Sequence, residues 1–399
     1  MSKIDIKTYT FQPSTTQAAV CECHTLFHVS ETELTYAEQL DALMEALMEF
    51  LNSRPDQQQV FRRFFVSDAA NQQALLEERL DEVPYCATSI VQQPPLDGSK
   101  IALWLYTASL PEAEGCVFTH NGYTYYWMGG VIPYMRASLK SITGSKERDK
   151  LIRLGNLSRV VHVETDSEYQ TRDLFDSLFA ELHALGMTIE DHCVRTWLFV
   201  RDVDVNYGGV VTGRRRYFDR IGLTPKTHYI ASTGIEGRHA NHEVLVQMDA
   251  CNVKGLQSGQ LTYLYAKDHL NPTYEYGVTF ERGTAITYGD RRQIFISGTA
   301  SIDDKGNVLY VGDIERQTLR MLENIRALLE EGEMTLNDIA VAIVYLRDTA
   351  DAARVRQILS RELPELNYEL VLAPVCRPTW LIEMECIALH ETSNRYNPF

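Results

Sequence analysis

The chain has 399 residues, 45% hydrophobic and 23% charged, an ordinary globular balance with length for two or three domains. A formal charge of -16 argues against nucleic acid as a partner, and no window approaches the run of about eighteen apolar residues that a membrane-spanning helix needs. The eight cysteines form no CxxC pair and MSKIDIKTYTFQPSTTQ carries no apolar signal core, so reduced thiols and a cytoplasmic location are expected.

In chain order, CHTLFHV (23–29) reads as a strand, YAEQLDALMEALMEFL (36–51) as a helix and VFRRFFVSD (60–68) as a strand. A helix near 69–80 and the strands YCATSIVQ (85–92) and KIALWLYTA (100–108) follow. The order then recurs as YYWMGGV (125–131), the helix YQTRDLFDSLFAELHALG (169–186), CVRTWLFVRD (193–202), THYIAST (227–233) and HEVLVQMDA (242–250). It recurs again as QIFISGTASIDDKGNVLYVGD (293–313), read as a hairpin turning at DDKG, then the helix 313–332, IAVAIVYLRD (339–348), the helix 350–363, NYELVLAPV (367–375) and WLIEMECIA (380–388). Asp68, Asp202 and Asp348 precede the alanines Ala108, Ala250 and Ala388 by 40, 48 and 40 residues, which supports three copies of one unit over 1–112, 113–255 and 256–399.

The stretch CRPTWLIEME (376–385) sends Glu383 and Glu385 to one face of a strand, because side chains alternate. Aligning the last strands on those alanines sets Glu383 against Leu103 and Leu245, and Glu385 against Leu105 and Gln247, so one copy holds the carboxylates. A carboxyl beside another and out of water can keep a proton near neutrality, which suits a general acid. The basic run Arg214–Arg216 in GRRRYFDR reads as a solvated cluster, with arginines for a dianionic substrate as the alternative. HANH (239–242) lacks a third ligand or an HExxH context, and GxGxxG, GxxxxGK[ST] and GxSxG are absent, so no metal, nucleotide or flavin is expected.

The segments ISGTASID, GDIERQT, LENIRALLEEG, VYLRD and LIEMECIA of the third copy resemble the Rid/YjgF family of reactive-intermediate deaminases, an α/β (α+β) fold whose small subunits form trimers with clefts between them. Residues 195–388 further resemble the chorismatases through RTWLFVRDVD, ASTGIEG, YLYAKDHLNP, FERG, ISGTASI and VCRPTWLIEME, although FERG ends in Gly where those enzymes tend to have Ala. The resemblance implies a single-chain, monomeric pseudo-trimeric barrel that releases pyruvate from chorismate or a related enolpyruvyl or cyclic carboxylate. On that reading Glu383 is the acid, Arg377 and Arg282 orient carboxylates, and Cys376 lines the cleft. Thr233 and Gly234 would form a tight loop presenting N–H groups to an anion, Tyr265 would add a hydroxyl, Gly298 and Thr299 would border the pocket, and Glu385 would join the substrate-binding residues. A Rid-type imine hydrolase and a non-catalytic protein that binds small carboxylates are the alternatives.

Overall fold

The computed structural model describes residues 3–14, 19–110, 116–134 and 164–399, so part of the 113–255 unit lies outside the described residues. The chain builds three sheets in succession. The first unit runs β1 (Ile4–Phe11), β2 (Glu22–Val29), α1 (Tyr36–Asn52), β3 (Gln58–Val66), α2 (Ala69–Leu80), β4 (Ala87–Gln92) and β5 (Ile101–Ala108). The second runs β6 (Val117–His120), β7 (Tyr123–Val131), α3 (Asp166–Ala184), β8 (Cys193–Val200), α4 (Val203–Ile221), β9 (Ala231–Glu236) and β10 (Val246–Lys254). The third has β11 (Leu261–Leu264), β12 (Gly283–Thr287), β13 (Arg291–Ala300), α5 (Ile314–Glu331), β14 (Ile339–Leu346), α6 (Ala352–Glu362), β15 (Tyr368–Leu372) and β16 (Ile382–Glu391). Strand order is β1-β2-β5-β3-β4 and β6-β7-β10-β8-β9 in the first two sheets, and β12-β13-β16-β14-β15 in the third, where β11 adds an outer edge. The expected mixed α and β architecture of three similar units is therefore present.

Local chemistry explains the elements. Asp313 caps α5 by accepting the Arg316 N–H, and Met321, Leu322, Ile325, Leu328 and Leu329 bury one side of that helix. All eight residues of IAVAIVYL in β14 are buried, as a central strand covered on both faces requires. The expected hairpin at DDKG shrinks to a single bridge between Ile302 and Val308, because β13 finds its partners in β12 and β16 instead. THYIAST becomes β9 only from Ala231 onward.

The three sheets share one core in which Trp104, Trp127, Trp197, Phe61 and Phe295 stack and tilt against one another. Contacts between units close a ring: β4 packs on β7, β9 on β13, and β14 on β1 and β2. Side chains tie the joins, with Gln247 Nε2 donating to Ile90 O at 3.1 Å and Asn367 Nδ2 to His24 O at 3.0 Å. Between the sheets the ladders are limited to isolated bridges such as Ile235–Val375 and Pro95–Val371, so among the described residues the ring is three sheets side by side rather than one continuous barrel.

Strand register corrects the equivalences drawn from the terminal alanines. Val66 faces Ile101, Val200 faces Val246 and Leu346 faces Ile382, which fixes a common frame. In that frame Glu383 matches Ala102 and Gln247, while Glu385 matches Trp104 and Asp249. Alignment on the alanines slips by one residue in the first unit, which swaps the two faces of the strand, and by two in the second, which keeps the face but shifts each position along it. The second unit thus does keep a carboxylate, Asp249.

Candidate active site

A cleft of about 520 Å³ opens between the second and third sheets. Its walls come from β9 and α4 on one side and from β13, β16 and the segments before β12 and β16 on the other. Glu383, Arg377, Arg282, Cys376, Thr233, Gly234 and Gly298, all singled out from the sequence, line it. Tyr207, Arg214, Ser232, Phe280 and Trp380 line it as well.

Glu383 is 5% exposed, and among the described residues no hydrogen bond reaches its carboxyl. Burial, followed by the charge of Glu385, pushes its pKa up to about 8 against the pull of Arg282 and Arg195. The carboxyl lies directly over Gly298, where a Cβ would sit 2.1 Å from Oε1, so only glycine leaves room for the acid. Gly234 likewise admits the Tyr207 ring, whose Cε2 would meet a Cβ at 2.7 Å.

Three arginines surround the acid. Arg282 is anchored by Nη2 bonds to Asn271 O at 3.1 Å and Oδ1 at 3.3 Å, and its guanidinium lies 5.5 Å from the Phe280 ring centre. Arg377 lies over Trp380 at 4.8 Å, and Trp380 is itself held by an Nε1 bond to Ser301 O. Arg214 donates to Ser232 Oγ at 3.2 Å and Thr279 Oγ1 at 3.3 Å. The reading of Arg214–Arg216 as a solvated run therefore holds only for Arg215 and Arg216; Arg214 is 1% exposed. Cys376 joins the wall beside Tyr207 and Glu383, and burial pushes its thiol up to about 12, so it stays protonated and is no nucleophile at neutral pH.

Four sequence-based assignments change. Thr233 and Gly234 lie within β9, paired in parallel with β8, and form no tight loop. Since the N–H of Ser232 and that of Glu236 leave β9 toward Ser297 Oγ and Pro374 O, alternation aims the Gly234 N–H toward the same third unit, which preserves the donor by another geometry. Tyr265 lines a neighbouring cavity of 420 Å³ with Tyr229, Tyr274 and Glu281, across Arg282 from the cleft. Thr299 is fully buried and bonded to Ser297 O at 2.9 Å, away from the cleft wall. Glu385 lies behind Glu383, bonded to Arg195 Nη2 at 2.7 Å, to Trp197 Nε1 at 2.8 Å and to Thr233 Oγ1, and is not among the residues that line the cleft. In HANH, His239 uses both ring nitrogens on Gln73 and the Asn241 N–H.

Residues 284–390 match the family model described as endoribonuclease L-PSP. Over 100 residues the chain is 40% identical to a RutC family protein of Pyrococcus abyssi, covering 25% of this chain and 79% of that one. The chain belongs to the RutC family. Another RutC relative, a 3-aminoacrylate deaminase of Acinetobacter baylyi, is 31% identical over 98 residues, 24% of this chain and 77% of the relative. A solved chorismatase structure resembles the fold over 83% of this chain and 92% of its own, with a TM-score of 0.58 and 17% identity. Sequence likeness to the RutC proteins thus centres on the third unit, whereas fold likeness to the chorismatase extends across the units. Among the described residues no helix is long and apolar enough to cross a membrane.

Proposed function

We propose that the chain is a chorismatase-like enzyme that releases pyruvate from chorismate or a related enolpyruvyl or cyclic carboxylate, acting as a monomeric pseudo-trimer. The observation that carries this reading is Glu383: a carboxyl pushed up to about 8, without a hydrogen bond among the described residues and facing a cleft lined by Arg214, Arg282 and Arg377. A protonated acid among arginines suits a substrate that is a dianion and must accept a proton. Arg377 and Arg282 each take one substrate carboxylate, and Phe280, Trp380, Val278 and Ile302 pack against the ring.

In the first step the Glu383 carboxyl gives its proton to the terminal methylene carbon of the enolpyruvyl group, leaving a methyl group and an oxocarbenium ion. Water adds to that carbon while the Glu383 carboxylate takes a proton from it. The resulting hemiketal collapses: its hydroxyl proton passes to the ether oxygen, the bond between that oxygen and the hemiketal carbon breaks, the ring keeps the oxygen as a hydroxyl, and pyruvate is released. One water is consumed and Glu383 ends protonated, ready to act again. Cys376, held as a thiol, serves as wall rather than nucleophile.

Likeness over 98 residues to a 3-aminoacrylate deaminase supports a second reading, hydrolysis of reactive enamines or imines in the same cleft. The deciding experiment supplies purified protein with chorismate and follows pyruvate, with Glu383→Gln alongside. Pyruvate from the native chain and at least a hundredfold less from the variant supports the lyase reading. No pyruvate, with ammonia released from 3-aminoacrylate, moves the assignment to the deaminase; neither product, with the two forms binding carboxylates alike, leaves a binding protein.

A further inference from the structure

A cluster of ionisable side chains lies outside the cleft walls, at the centre of the ring. Arg63, on β3 of the first unit, is fully buried. Its Nε and Nη2 donate to Asp249 Oδ2 of the second unit at 3.1 and 2.8 Å, and Nη1 stands 3.5 Å from Glu385 Oε1 of the third. Phe61, Trp104, Trp197 and Phe199 surround the guanidinium, all within 5.4 Å of ring centres. One residue of the first unit thus touches both of the others.

Glu385 accepts hydrogen bonds from Arg195, the Trp197 indole and the Thr233 hydroxyl, and pairs by charge with Arg63 Nη1 at 3.5 Å. An ionised carboxylate is acceptor-only, so this surrounding matches an anion and would leave a carboxylic O–H without an acceptor. Tyr345 faces Glu385 from β14, and burial and that charge drive its hydroxyl well above its ordinary range, so it stays protonated beside the anion. The same Thr233 hydroxyl accepts the Gly298 N–H at 2.9 Å, and Gly298 is the floor under Glu383. Glu383 meets no such set of donors. Facing it are the Glu385 charge along β16, Arg195 from β8, Arg282 before β12, Cys376 and Arg377 before β16, and Tyr207 and Arg214 from α4.

We propose that Glu385 is a positioning residue, a fixed anion clamped by Arg63 of the first unit and Arg195 of the second, which keeps the single proton of the pair on Glu383. The first unit, which lines no part of the cleft, then contributes to the chemistry through Arg63. Thr233 links the clamp to the cleft floor, so the anion and the acid are held in one fixed relation. This rests on the reading of Glu383 as the acid, yet it is a statement about where a proton sits in the resting protein and needs no substrate.

The test is infrared difference spectroscopy of the full chain in the carboxylic C=O region, titrated from pH 5 to pH 10. The native protein should show one buried carboxylic band that titrates near pH 8, and Glu383→Gln, which keeps every bond to Glu385, should lack it. A band that persists in Glu383→Gln puts the proton on Glu385 or Asp249 and overturns the proposal. In Glu385→Gln the Glu383 band should remain but titrate at least about one pH unit lower, whereas Glu385→Asp should stay within a few tenths of the native midpoint. An unmoved midpoint in folded Glu385→Gln also overturns it. Should that variant not fold, Arg63→Gln offers a second route: it should gain a carboxylic band that survives in the Arg63→Gln, Glu383→Gln double variant, and an unchanged spectrum counts against the clamp. If chorismate proves not to be the substrate, the spectra still decide the location of the proton.

Discussion

Replacing Glu383 by Gln should stabilise the protein, and the gain should grow with pH. The carboxyl titrates near 8 in the folded chain and near 4.5 when free of the fold. Below pH 4.5 both states hold the proton and the residue costs nothing by ionisation. As pH rises the unfolded chain releases its proton while the folded chain keeps it, so stability falls until about pH 8, where the folded form ionises too. Linkage puts the accumulated cost on the order of 5 kcal/mol at high pH, about 3 at pH 7 and about 1 at pH 5. Glutamine has nearly the same shape and no such cost. Urea unfolding followed by tryptophan fluorescence suits the measurement, because Trp104, Trp127 and Trp197 all lie in the shared core. The stability difference between variant and native protein should widen by about 2 kcal/mol from pH 5 to pH 7 and level off above pH 8. A difference that is flat across that range, or a variant less stable than the native chain at pH 8, would refute the account of Glu383 as a destabilised, protonated acid.

Gly298→Ala should fold but lose about a hundredfold in kcat, since its Cβ falls 2.1 Å from Glu383 Oε1 and the flexible carboxyl, not the backbone, is what must move; circular dichroism beside pyruvate release separates the two effects. Cys376 should resist iodoacetamide at pH 8, because its thiol titrates near 12, and Cys376→Ala should keep most of the activity. Stoichiometric alkylation of Cys376, seen by peptide mass spectrometry, would show that the thiol is activated after all.

Much of the fold is legible in the sequence, and the residues show where legibility stops. The helix α5 and the strands β14 and β16 carry strong periods of their own, so they stand out without a partner. Glu383 is legible for a similar reason, as a carboxylate at an inward position of an apolar strand. Asp249 is not, because its equivalence to Glu385 is set by which residues of β8 and β10 face each other, a relation between distant segments. Arg214 is hidden by its neighbours: three consecutive arginines suggest solvent, yet a helix turns about 100° per residue and buries only one of them. Its signal lies in the stripe Val210, Gly213, Arg214, Tyr217 and Phe218, all buried at helical spacing on α4. Tyr207 and Trp380 follow no such pattern, since only the tertiary fold brings α4 and the segment before β16 to one cleft.

Fusion of three units into one chain also has a physical consequence at the ring's centre. The positions matching Arg63 are Trp197 and Ile343, and those matching Asp249 and Glu385 include Trp104. A symmetric trimer would repeat each choice three times, placing three guanidinium groups or three carboxylates around one dry axis, where like charges cannot all stay ionised. A single chain can instead set one arginine between two carboxylates and box it with aromatic rings. The cleft positions diverge by the same freedom. Where the third unit has Glu383, the second has Gln247, its amide spent on Ser89 and the Ile90 carbonyl as a strut between sheets, and the first has Ala102. Among these three positions only Glu383 offers a carboxyl, so the acid chemistry proposed above can use only the cleft between the second and third sheets.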